Sequence, residues 1–189
     1  MIPIKIHTQP DDSTCGPTSL HAVYRYFNDS IPLSEVIKEV PYLDEGGTLE
    51  VLLACHALSR GYEARIYTYN LNVFDPTWFK LDNLTIIDKL NQQRQVKTSK
   101  KLQRATQAYI DFLEMGGELC FQELTPNLLN SYFERNLPLL SGLSATYLYN
   151  CARERTNEAG ESIYDDVLGV PLGHFVVLCG FGEDRQHIV

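Results

Sequence analysis

Three residues of this chain have the types and spacing to break an acyl bond. Cys15 stands in the run Asp11-Asp12-Ser13-Thr14-Cys15-Gly16-Pro17, between a polar turn and the helix it opens. The unpaired amides and macrodipole at a helix N-terminus favour a thiolate there. Gly16 lets a substrate backbone approach, and Pro17 lacks an amide that the first turn would leave unpaired. A cysteine buried at a turn fits the same letters. His174 heads the apolar run Gly173-His174-Phe175-Val176-Val177-Leu178, near the other end of the chain. A histidine at a strand entry serves either as a structural residue or as the base for a helix-borne thiol, distant in sequence and close in space. Gln9 precedes Cys15 by six residues. Its amide can donate to the oxyanion formed when a thiolate attacks a carbonyl, a contact worth ~3 kcal/mol of barrier. A surface glutamine before Pro10 is the plain alternative.

The elements that must position these groups follow from periodicity and punctuation. Residues 16–28 form a helix with Leu20, Val23, Tyr24 and Phe27 as its apolar face, and with Ser13 and Thr14 as caps. A short helix follows Ser34, with Val36, Ile37 and Val40 apolar. Gly46-Gly47 breaks the chain, and Thr48 caps a helix that stops at Gly61. Tyr62 to Tyr69 reads as a strand, and Asp75-Pro76 as a helix start. Two helical segments meet around Lys97–Ser99, the second ending at Gly116-Gly117, and Thr125-Pro126 opens another helix. Short β-like runs follow at Pro138–Leu143, at His174–Phe181 and from His187 onward; residues 152–172 read as a long polar loop. Helices first and strands last predict an α+β chain with two subregions facing each other.

Gln9, then Cys15-Gly16 at the head of a helix, then the late Gly173-His174-Phe175-Val176-Val177 segment resemble the C39-like branch of the papain-type cysteine peptidases. The match is specific over roughly residues 7–25 and 172–182, and looser at Gly47-Thr48 and Pro138-Leu139-Leu140. The resemblance implies a papain-like fold: an N-terminal helical part with Cys15 at a helix N-terminus, packed against a C-terminal antiparallel sheet carrying His174. It implies one peptidase domain over 1–189 with a helical insertion at about 75–117. Cys15 would be the nucleophile, His174 the general base and acid, and Gln9 the oxyanion donor, acting on a peptide or protein substrate with no metal or organic cofactor. The family places an Asp or Asn on the strand after its histidine, and Val189 falls just short of that position. Glu183 and Asp184 are nearer, in an expected turn after Phe181, so the orienter is expected beyond Val189 or is lacking. The same Cys–His pair would serve an acyl transferase. A degenerate cleft would leave a non-catalytic peptide-binding domain.

Composition sets the outer bounds. The chain has 189 residues, 44% hydrophobic and 21% charged, values of one globular domain able to bury a core. Sixteen Lys and Arg against 24 Asp and Glu leave a net charge of −8, which disfavours nucleic acid. The cluster Lys97, Lys100, Lys101 and Arg104 reads as a solvated helix face. No run approaches the ~20 apolar residues of a membrane span, and the N-terminus lacks a signal-peptide layout, so the expected location is cytoplasmic. Five cysteines without a CxxC pair imply neither a disulfide framework nor a zinc site. Cys55 and His56, adjacent on a helix, point about 100° apart and cannot pair. Cys179 reads as core, His7, His21 and His187 lack metal spacing, and Asp165-Asp166 reads as a solvated loop, with an acidic or calcium-like feature as the alternative.

Overall fold

A computed structural model describes all residues except 44–46, 158 and 184–187. Its elements in chain order are α1 (Cys15–Tyr26), α2 (Leu33–Glu39), α3 (Glu50–Ser59), β1 (Arg65–Tyr67), α4 (Asn83–Val96), α5 (Lys100–Glu114), β2 (Glu118–Cys120) and α6 (Pro126–Phe133). Then come β3 (Leu139–Ser144), α7 (Ala145–Leu148), β4 (Glu154–Thr156), β5 (Ser162–Tyr164) and β6 (Gly173–Leu178). The chain is α+β, and its described strands form three pairs: β1 with β2 parallel, β3 with β6 and β4 with β5 antiparallel. It divides into two units, Met1–Leu33 with Asn130–Val189, and Ser34–Leu129. The helices expected at about 75–117 fall inside the second unit.

In the second unit, helix boundaries sit where local chemistry puts them. Asp75 accepts from the Thr77 amide at 2.9 Å and opens a 3-10 turn over Pro76–Trp78. Asp82 accepts from the Thr85 amide at 3.0 Å to open α4, and Ser99 caps α5. Such caps satisfy amides that the first turn leaves without a partner. Gly61 (φ 84°) and Gly116 (φ 89°) end α3 and α5 in the left-handed region that glycine adopts without steric cost. Thr48 does not cap α3: its hydroxyl donates to the Pro41 carbonyl at 2.9 Å, and Leu49 occupies the cap position. The reading of Gly46 lies outside the described residues.

The core of this unit forms around α5, whose Ala105, Ala108, Tyr109, Phe112 and Leu113 are buried with Val51 of α3 and Ile86 and Leu90 of α4. Phe74 meets Tyr109 edge-on at 4.8 Å, and Phe79 stacks on Phe121 at 3.7 Å. The Tyr109 hydroxyl donates to Glu50 Oε1 at 2.5 Å; burial, and then the Glu50 charge, push its phenol well above the ordinary range. The strand expected at Tyr62–Tyr69 contracts to β1 because the Tyr62 amide turns back to the Ala57 carbonyl at 3.1 Å. β1's partner β2 was not anticipated.

In the first unit, α1 packs on β6, and β6 pairs with β3 in a register that sets His174 opposite Leu143. The Ile2 amide donates to the Cys179 carbonyl at 2.8 Å, fastening the N-terminal segment to the chain just after β6. The expected apolar face of α1 needs correction. Leu20 and Tyr24 are buried, but Phe27 lies past the helix end and is 40% exposed. Gly16 through Ala22 are buried without interruption, so the first half of α1 carries no polar stripe facing solvent. The loop expected at 152–172 contains the β4–β5 hairpin, extended by a bridge between Glu154 and Val170. Among the described residues no helix is long and apolar enough to cross a membrane.

Candidate functional site

The turn before α1 is organised by Asp11. Its Oδ1 accepts from the Ser13 amide at 2.8 Å and the Ser13 hydroxyl at 2.7 Å, which hold the carboxyl below its ordinary range. The Thr14 hydroxyl donates back to the Asp11 carbonyl at 3.0 Å. Thr14 therefore occupies the cap position without a side-chain cap, contrary to the expectation for Ser13 and Thr14. Pro17 brings no amide. Among the described residues no acceptor takes the amides of Cys15 or Gly16. Two unpaired donors at a helix N-terminus suit a negative charge beside them, such as an oxyanion. Cys15 is half-buried.

His174, half-buried, is the second residue of β6. One hydrogen bond ties its strand to α1: the Ser19 hydroxyl donates to the Phe175 carbonyl at 3.2 Å. Ser19 lies one turn beyond Cys15 on the same side of α1, and Phe175 directly follows His174. The tether thus joins the two elements that carry Cys15 and His174 within one helical turn of the first and one residue of the second. Ser19 was not singled out in the sequence, where a serine inside a helix carries no signal of its partner. Replacing Ser19 by Ala is expected to cost about 1 kcal/mol of stability and to slow Cys15 alkylation by iodoacetamide. Unchanged alkylation would show that the tether does not set the Cys15 environment.

Gln9 is half-buried in the irregular segment before the Asp11 turn. Among the described residues no hydrogen bond joins it to Cys15 or His174. Asp184, weighed as an orienter of the imidazole, lies outside the described residues, as does His187. Glu183 is exposed in a turn. The described neighbour of His174 is instead the Tyr149 ring, edge-on at 6.0 Å. Tyr149 was missed; its only signal is the run Tyr147-Leu148-Tyr149 after β3. Tyr147 (90%), Tyr149 (64%), Val167 (75%) and Leu168 (71%) are exposed on the stretch leading to His174.

The remaining candidates resolve into structural roles. Asp165 Oδ1 accepts from the amides of Val167 and Leu168 at 3.0 and 2.8 Å, and Oδ2 accepts from Arg155 Nε at 2.7 Å. These contacts, the Leu168 amide foremost, lower its carboxyl to about 2. Asp165 is therefore the staple that holds the turn after β5 and ties it to Arg155 of β4, neither a loose solvated acid nor a free cation ligand. Cys55 donates to the Ala108 carbonyl at 3.7 Å while His56 Nε2 meets Glu39 Oε2 at 3.0 Å, so their side chains diverge as expected. Burial pushes the Cys55 thiol up to about 11 and raises those of Cys120 and Cys179 as well. Cys179 is half-buried just past β6, not in the core. Among the described residues no group of three or more His, Cys, Asp or Glu could hold a metal ion.

Compared with protein-family models, with curated proteins and with solved structures, the chain matches none. The likeness to the C39-like peptidases therefore rests on the residues around Gln9, Cys15 and His174.

Proposed function

We propose that this chain is a thiol-dependent hydrolase of peptide or amide bonds, a cysteine peptidase of the C39-like kind with a papain-like arrangement of a helix-borne thiol against a strand-borne imidazole. The observation that carries the reading is the Ser19–Phe175 hydrogen bond, which fastens the Cys15 helix, one turn past Cys15, to the strand residue after His174. His174 takes the Sγ proton, and the thiolate attacks the carbonyl carbon of the substrate. The amides of Cys15 and Gly16, with Gln9, receive the oxyanion. The imidazolium then protonates the leaving amine, and water resolves the thioester; a second amine in place of water gives acyl transfer by the same steps. No cofactor enters this chemistry. The five cysteines, all unpaired, fit a reducing compartment such as the cytoplasm.

A second reading, a peptide-binding domain without turnover, draws on a different observation. Among the described residues His174 has an aromatic edge and no carboxylate beside it, and tyrosines and aliphatics are exposed on the segments between β3 and β6.

One measurement separates the two readings: the rate of iodoacetamide alkylation at Cys15 against pH, in wild type and His174→Ala. A thiol with a pKa near ~8.5 is only about one part in a thousand ionised at pH 5.5, whereas an imidazolium-paired one is largely thiolate. The hydrolase reading expects fast labelling at acid pH that falls about 100-fold or more without His174. An ordinary thiol titration in wild type, unaffected by the substitution, rejects it and leaves the binding domain.

A further inference from the structure

About 120° around α1 from the Cys15–Ser19 side, at about 100° per residue, His21 and Arg25 share a second face one turn apart. They open onto a concavity of about 750 Å³ lined also by His7, Thr8 and Ser30, with Ile31, Pro32 and Leu33 as its apolar wall. His21 is only 4% exposed, yet its Nδ1 has no hydrogen-bond partner among the described residues. The Ile31 carbonyl engages the other side of the ring. His21 lines the concavity while its Nδ1 is itself shielded from solvent, and a buried ring nitrogen without a partner is a costly arrangement. Arg25 donates to His7 Nε2 at 2.7 Å, and the two imidazoles lie 5.5 Å apart, so the guanidinium and both rings converge on one space.

We propose that this concavity binds a phosphate monoester, its phosphate on Arg25 and His7 above the buried His21 and its apolar body against Ile31–Leu33. Donors reach the space from three directions: the N-terminal segment with His7 and Thr8, α1 with His21 and Arg25, and the segment after α1 with Ser30. That distribution suits a tetrahedral anion better than a planar one, and the guanidinium supplies a forked pair of donors. The chain carries a net charge of −8, so a local gathering of Arg and His stands against its overall field.

Proton uptake accompanies binding. Burial foremost, then the charges of His7 and Arg25, hold His21 below its ordinary value. The acid in the neighbourhood is Asp29, whose Oδ1 accepts from the Ile31 amide at 3.3 Å. A dianion held by Arg25 offsets the repulsion that the guanidinium exerts on a protonated His21. Binding therefore raises the His21 pKa and tightens as pH falls toward it.

The test is independent of Cys15. The ring resonances of His21 are followed by NMR while inorganic phosphate, and separately phenyl phosphate, is added to wild type and to Arg25→Gln. Arg25 is exposed, so the variant keeps the fold. The expected result is saturable movement of the His21 signals, an upward shift of its titration, tighter binding of phenyl phosphate, and at least about tenfold weaker binding in Arg25→Gln. No saturable response at His21, or an equal response in the variant, overturns the site. Equal affinity for the two probes overturns the apolar part of the assignment.

Discussion

Wild-type protein exposed to p-nitrophenyl acetate is expected to gain an acetyl group on Cys15 and to shed it to water, while Cys15→Ala gains none. The activated ester replaces the unidentified natural substrate: the thiolate displaces p-nitrophenolate, and the thioester is hydrolysed. His174→Ala should slow the step by about 10²–10⁴-fold, the usual worth of a positioned general base. Burial raises the thiols of Cys55, Cys120 and Cys179, which lowers their competing thiolate fractions, and the Cys15→Ala variant measures any labelling at Cys151. Gln9 is separable from the pair. If its amide meets the oxyanion, Gln9→Ala loses about 10²–10³-fold; a loss below about tenfold removes it from the site and leaves the Cys15 and Gly16 amides alone. Acetylation that persists unchanged in His174→Ala would falsify the base assignment.

The second large effect concerns stability. Phe112→Ala is expected to destabilise the second unit by about 3–5 kcal/mol, a large share of a domain's total. Phe112 is fully buried on α5, and a Cβ placed at Gly117 would lie 2.3 Å from its Cε2 atom. The ring thus lies against backbone that carries no side chain, and such close packing leaves a cavity when it is truncated. Trp78, the chain's single tryptophan, packs against the same cluster, so its fluorescence during urea unfolding reports on this unit. Leu84→Ala, at a position 79% exposed, is the control and should change stability by less than about 0.5 kcal/mol. A Phe112→Ala loss near the control's would mean that another group anchors the core.

Much of this architecture is readable one turn at a time. Asp75-Pro76, the break at Lys97–Ser99, Gly61 and Gly116 mark helix ends because a cap or a left-handed residue acts on amides and carbonyls within four positions. The same locality made the Cys15 helix start visible, though not its cap geometry: Thr14 turned its hydroxyl back to Asp11, an alternative the letters leave equally open.

Pairing between distant segments was another matter. β2 is three residues long and finds its partner β1 about fifty positions earlier, with no periodicity to announce it. The β4–β5 hairpin is polar and exposed, so it lacks the alternation that betrays a half-buried strand. Residue types and local spacing were enough to nominate Cys15, His174 and Gln9 and to place the first two on a helix and a strand, because nucleophile chemistry and helix termini are short-range properties. That Ser19 ties those two elements together, that Tyr149 lies beside His174, and that His7, His21 and Arg25 share a cavity are long-range facts. They arise from burial and register across the chain, which no window of neighbouring residues contains.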